Sequence, residues 1–173
     1  MLRVTCLKRL TSVALIIAIA IPLSATMARA DYSAHDPDDT DTTFDISSVR
    51  ATVGATGRIR IIVRFFDVLD WNPNSSVQVF IDSRNGPIWD HLLLGDILWN
   101  GRARCDLMHR GFLGEPPEVG ADIGPRKVAC SLSRTLLRPT HAIRWKVRSS
   151  FFQGGELVFD RAPDGFSHWY PHV

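Results

Sequence analysis

Asp36, Asp38, Asp39 and Asp41 fall within the six residues DPDDTD. Such a density of hard oxygen donors suits calcium, which takes roughly six to eight oxygens. The stretch has neither the glycine nor the terminal glutamate of a calcium loop, so a structural calcium site must recruit a distant carboxylate, Asp82 or Asp160. Without such a partner, DPDDTD is a solvated acidic stretch.

Aromatic residues form the second candidate chemistry. Trp71, Trp89, Trp99, Trp169 and Tyr170 stand in or beside the turn-like stretches DWNPNS, SRNGP and WNG and the closing HWYPHV. Rings exposed there could stack on sugar faces. The competing reading makes each ring a lid over the end of a core, and for the tail FDRAPDGFSHWYPHV a structural strap is the leading reading. Trp145 alternates inward and belongs to the core.

Other site types have weaker support. Met108 and His109 are adjacent, so on a strand they face opposite ways; His91 could supply a second ligand, but haem is disfavoured. His168 and His172 are four apart, but Pro171 between them works against the helix that would align them. The chain carries no G-x-S-x-G elbow, H-E-x-x-H pair or phosphate-cradling glycine loop. No catalytic residue is assigned and a non-enzyme is expected, although Asp82 and Asp90 could still meet in three dimensions.

Residues 1–30 read as an export signal. Arg3, Lys8 and Arg9 precede the apolar run VALIIAIAIPL, and Ala28-Arg29-Ala30 offers small residues for cleavage. The run is short of the roughly 20 residues needed to span a bilayer. An uncleaved anchor is the alternative; with cleavage, no membrane span is left and the protein is secreted. Losing Arg3, Lys8, Arg9 and Arg29 leaves sixteen basic against 18 acidic side chains, a net of −2. A nucleic-acid partner, which needs a sustained positive field, is therefore excluded.

The two remaining cysteines, Cys105 and Cys130, suit a disulfide outside the cytoplasm, with free or metal-binding thiols as the alternative. A bridge closing a 26-residue loop is worth about 3.5 kcal/mol of chain entropy.

The elements that must position these groups alternate with period two. In GRIRIIVRFF, Ile59, Ile61, Val63 and Phe65 share a face; in SVQVFID, Val77, Val79 and Ile81 do; in HAIRWKVRSS, Ile143, Trp145 and Val147 face in while Arg144, Lys146 and Arg148 face out. Weaker strands are FDISSVRATV, DHLLLGDILW, GRARCDLMH, RKVACSLS and ELVFD, with WNG as the sharpest hairpin signal. Cys105 and Cys130 lie on apolar strand faces flanking RGFLGEPPEVGADIG, a Gly- and Pro-rich loop, where a bridge would pin two neighbouring strands. About eight short strands predict an all-β, two-sheet antiparallel sandwich, jelly-roll-like, over residues 44–173. Residues 31–43 read as an acidic flexible leader.

The order of FDISSVRATVG, GRIRIIVRF, VQVFIDSRNGPIWDHLLL, VACSLSRTLL, IRWKVRS and DRAPDGF resembles the β-sandwich superfamily of family-nine carbohydrate-binding modules and DOMON-like domains, over about Asp36 to Phe166. The resemblance implies two antiparallel sheets and binding of sugars through exposed aromatics or of haem through Met and His, in some cases with structural calcium. Fold does not assign function. The expected function is a non-catalytic exported binding module for polysaccharide or cell-envelope glycan. The alternatives are a protein-binding or structural envelope domain and a haem or metal carrier.

Overall fold

The computed structural model describes residues 31–40, 42–72, 75–84, 86, 88–98, 100–109, 112–114, 119–138, 143–164 and 170. Eleven strands and one helical turn follow in order: β1 (Asp31–His35), β2 (Ile46–Val53), β3 (Arg58–Phe65), β4 (Ser76–Asp82), β5 (His91–Ile97), β6 (Ala103–His109), β7 (Phe112–Gly114), β8 (Gly120–Gly124), β9 (Lys127–Ser133), α1 (Arg134–Leu137), β10 (Arg144–Gln153) and β11 (Glu156–Ala162). They make two antiparallel sheets, ordered β1-β2-β3-β9-β8 and β11-β10-β4-β5-β6-β7. The predicted all-β sandwich is the observed fold.

Alternation is the cause. Along β3, Ile59, Ile61, Val63 and Phe65 are buried between the sheets while Arg58, Arg60 and Arg64 are exposed. Val79 and Ile81 on β4 oppose Val147 and Trp145 on β10 in register, and Val77 opposes the buried Ser149. Each such branched or aromatic side chain contributes about 1.5–3 kcal/mol by leaving water. Trp145, fully buried, takes Tyr170 against its ring at 4.7 Å and Tyr32 at 6.0 Å. Trp145 and Tyr170 also exchange backbone hydrogen bonds, Tyr170 N–H donating at 2.7 Å and Trp145 N–H at 3.4 Å. At Tyr170 the strap reading of the tail therefore holds.

The chain crosses between sheets after β3, β7 and β9, so β9 returns beside β3 and β10 beside β4. Cys105 on β6 and Cys130 on β9 form the predicted disulfide, with Cα atoms 5.9 Å apart. These strands belong to different sheets, which corrects the expectation of two neighbouring strands: the bridge staples the two layers. Gly95, register partner of Cys105, makes the close approach possible. A Cβ there would come within 2.8 Å of Val128 Cγ1 and 3.5 Å of Cys130 Sγ.

Two further expectations are corrected. Asp31–His35, assigned to a flexible leader, is β1, paired with β2 from Asp31↔Thr52 to His35↔Ser48, and Arg50 forms an ion pair with Asp31. The Gly- and Pro-rich excursion contains β7 on β6 and β8 on β9. Backbone pairing at a sheet edge needs no apolar alternation, so neither strand announces itself in the sequence.

Candidate functional site

On the outer face of the six-stranded sheet, β4, β10 and β11 lie side by side. Alternation points Gln78 and Phe80 of β4, Lys146 and Arg148 of β10, and Phe159 and Arg161 of β11 away from the core. The register sets Phe80 opposite Lys146, and Arg148 opposite both Gln78 and Arg161. Trp89 reaches the same place from the β4–β5 connection, its ring 5.8 Å from Phe80 at 60°. With Val147 and Pro163 these residues line a cavity of about 230 Å³.

The wall is aromatic and cationic. The Arg148 guanidinium lies 5.2 Å from the Phe80 ring and 4.9 Å from the Phe159 ring, and Lys146 Nζ is 5.8 Å from Phe80. Such contacts are favourable because the ring faces carry negative quadrupole charge. Arg148 Nε donates to Gln78 Oε1 at 3.0 Å, a neutral partner. Burial lowers the Lys146 pKa, and Arg161 and Arg148 push it further down; burial and Arg161 act on Arg148 in the same direction. Three cations crowded beside two rings favour an anionic group with a flat apolar face. At this size, near the small end of ligand clefts, the cavity holds one ring.

A second groove of about 450 Å³ on the five-stranded sheet is lined by Arg58, Arg60, Gly120, Asp122 and Ser131 among others. Within it Arg60 contacts Asp122 at 2.8 Å and Arg58 donates to Ser131 O at 3.2 Å; Lys127 also contacts Asp122 at 2.8 Å, and Lys127 first, then Arg60, hold that carboxyl below its usual range.

The other aromatic candidates part company with Trp89. Trp71 is half-buried and packs edge-on to Phe44 at 5.1 Å, and Tyr170 is buried against Trp145. Both serve the core, a correction to their assignment as exposed platforms. Trp99 and Trp169 lie outside the described residues, as do His168 and His172.

The acidic candidates divide as well. Asp36 and Asp39 meet Asp160, joined by Asp45 and Asp164, in two overlapping groups: Asp36–Asp160–Asp164 and Asp39–Asp45–Asp160. Within each, one carboxylate oxygen per residue lies within 4.8 Å of the others. Burial first, then Asp160, Asp164, Asp39 and Asp45, push Asp36 up to about 8. Burial, Asp38 and Asp160 push Asp45 up to about 7, against the Thr40 backbone N–H that lowers it. Asp41 is outside the described residues. Asp82 is elsewhere, a correction: it accepts from Arg144 Nε at 2.8 Å and from the Arg84 and Gly86 backbone N–H groups at 3.0 and 3.1 Å. Burial alone would raise its pKa, but these donors outweigh burial and lower it. Asp90, its imagined catalytic partner, is engaged by Ser83 and Arg84.

The haem candidates divide: the two histidines meet and Met108 faces away from them. His91 is buried with Nε2 3.1 Å from Leu137 O, and its ring lies 4.8 Å from that of His109. Met108 points to the opposite face of β6, as alternation requires.

Sequence reasoning missed Phe80, Lys146, Arg148 and Arg161 as site residues, along with Asp45 and Asp164. The signal for the cleft was present: Phe80 is an aromatic residue on the wet face of SVQVFID, and Lys146 and Arg148 stand on the wet face of the next strand in space. The chain matches no protein-family model, no curated protein and no solved structure.

Proposed function

We propose that the protein is a non-catalytic, exported binding module whose ligand is an acidic glycan, seated in the Phe80–Trp89 cleft. The observation that carries the reading is the convergence of Lys146, Arg148 and Arg161 on two half-buried rings around one cavity. A sugar ring packs its C–H face on Trp89, and its carboxylate, sulfate or phosphate substituent meets the guanidinium groups, which bind such anions in a bidentate fork. Export agrees with the signal-like residues 1–30 and with the disulfide, which belongs in an oxidising compartment.

The test is calorimetric titration with a polyuronic oligosaccharide and with a neutral β-linked oligosaccharide of equal length. The acidic ligand binds and the neutral one does not, and Arg148→Gln weakens binding at least about tenfold, equivalent to ~1.4 kcal/mol. Equal affinity for both ligands contradicts the reading.

A protein-binding role is favoured by one observation. Phe152 and Leu157 face each other at the tip of the β10–β11 hairpin, 43% and 48% exposed, a small apolar knob in water. Binding to a protein partner that Phe152→Ser abolishes and Arg148→Gln leaves intact would favour that role.

A further inference from the structure

The two outer faces of the sandwich are built differently. On the five-stranded sheet the outward positions of β3 are Arg58, Arg60, Ile62 and Arg64, the largely polar set expected of a sheet with one side in water. On the six-stranded sheet β5 breaks that rule. Its outward positions begin with Leu92 and Leu94, and Met108 stands outward beside them on β6. With Phe80 of β4 these side chains are half-buried and lie outside the core cluster.

Register turns them into a row. Lys146 on β10 stands opposite Phe80, Phe80 opposite Leu92, and Leu92 opposite Met108. Directly opposed side chains on neighbouring strands are close, Cβ to Cβ about 4.5–5.5 Å. The row therefore runs straight across the sheet from an amine to a thioether, a span of roughly 14 Å. The next row along the strands is Arg161, Arg148, Gln78, Leu94 and Asp106, with Asp106 ion-paired to Arg104 at 3.0 Å. It is polar except at Leu94, so the apolar strip is narrow and has one direction. A single wet-face leucine is ordinary, but a strip in register that leads out of a cationic cleft is not.

Charge and surface chemistry name the occupant. Lys146, Arg148 and Arg161 draw an anionic group to the β10–β11 end, where the cleft has room for one ring. Beyond that ring the row offers no hydrogen-bonding group. Sugar hydroxyls laid on Leu92 and Met108 would lose water without replacement, whereas a hydrocarbon chain gains burial there. Methionine, unbranched and adaptable, suits a chain of variable length. Resting on the acidic-sugar reading of the cleft, we infer that the ligand is an anionic glycolipid: its sugar fills the Phe80–Trp89 cleft, and its acyl chain lies across the sheet on Phe80, Leu92 and Met108. The cations fix its direction, with the head over β10 and the end of the tail over β6.

The test uses the full chain and three soluble probes, each below its micelle-forming concentration: octyl glucuronide, methyl glucuronide and octyl glucoside. Full burial makes each methylene worth roughly fourfold in affinity, and a chain covered on one side keeps about twofold each. Calorimetry then finds octyl glucuronide about a hundredfold tighter than methyl glucuronide, and octyl glucoside about tenfold or more weaker than octyl glucuronide. Leu92→Thr and Met108→Gln, both on the wet face, each cost octyl glucuronide about fivefold and leave methyl glucuronide affinity and Tm unchanged. Ile62→Thr, on the outer face of the other sheet, changes neither affinity. Equal affinity for octyl and methyl glucuronide removes the acyl chain and leaves the acidic-sugar reading standing, whereas no binding of either glucuronide takes both down. Octyl glucuronide binding that survives both Leu92→Thr and Met108→Gln also overturns the inference. So does binding to phosphatidylglycerol vesicles with none to the monomeric probes, which would make this face a bilayer-docking surface instead.

Discussion

Asp160 on β11 accepts a 2.6 Å hydrogen bond from the backbone N–H of Ile46 on β2, joining the two sheets across 114 positions of sequence. That bond marks the edge where the layers meet through polar groups. Toward the other side, one strand in from each edge, β6 and β9 are joined by the Cys105–Cys130 disulfide. The architecture is a greasy filling with two different closures, and both can be perturbed separately.

Opening the covalent closure costs stability. Cys105→Ser with Cys130→Ser lowers unfolding free energy by about 2–4 kcal/mol in urea titration, and a reducing agent acts on the parent in the same direction. Gly95→Ala, whose methyl group meets Val128 Cγ1 at 2.8 Å and Cys130 Sγ at 3.5 Å, costs about 1–3 kcal/mol with both cysteines retained. A parent protein indifferent to reduction would show that the staple carries no load.

The buried aspartates Asp36 and Asp45 make stability depend on pH with an unusual sign. Asp36 titrates near 8 and Asp45 near 7 in the folded chain, against an ordinary 3.8 when unfolded. Between these values the folded state holds protons that the unfolded state has released, so raising the pH favours unfolding. The contribution is complete below about pH 4 and lost as pH climbs through 7 to 8. His91, lowered by burial from 6.5, works the other way as pH rises toward that value. Urea titrations in EDTA at several pH values isolate the cluster by difference: the parent declines relative to Asp36→Asn between pH 5 and about 8. A difference that does not change with pH refutes the account.

Trp71 and Trp89 separate packing from binding. Trp71→Ala removes a ring lodged edge-on to Phe44 and lowers stability by about 3 kcal/mol with ligand affinity unchanged. Trp89→Ala changes stability by less than about 1 kcal/mol and costs tenfold or more in affinity. Chemical denaturation and titration of both variants read the contrast, and reversed phenotypes would move the ligand seat away from the cleft.

Much of the scaffold was legible because a buried face writes itself into every second residue. Ile59, Ile61, Val63 and Phe65 define β3, and Ile143, Trp145 and Val147 lead into β10 as their spacing requires. Edge pairing leaves no such trace, so DYSAH read as a leader and emerged as β1. Cys105 and Cys130 were legible as a pair, but which layers they join depends on the crossing after β7, which no local pattern records. The acidic stretch was legible in Asp36, Asp39 and Asp160. Asp45 and Asp164 joined them only through the adjacency of β2 and β11, and Asp82 dropped out because Arg144 pairs with it from the neighbouring strand. The cleft was hidden for the same reason: Phe80, Lys146 and Arg161 belong to three strands that sequence order does not line up.

The claim that the Phe80–Trp89 cleft takes an acidic glycan is tested most directly by titrating the parent and Arg148→Gln with a polyuronic oligosaccharide at low and high salt. The account predicts measurable affinity for the parent, falling steeply as salt screens the guanidinium groups, and at least a tenfold loss in the variant at low salt. Affinity that is independent of salt and equal in the two proteins would contradict it.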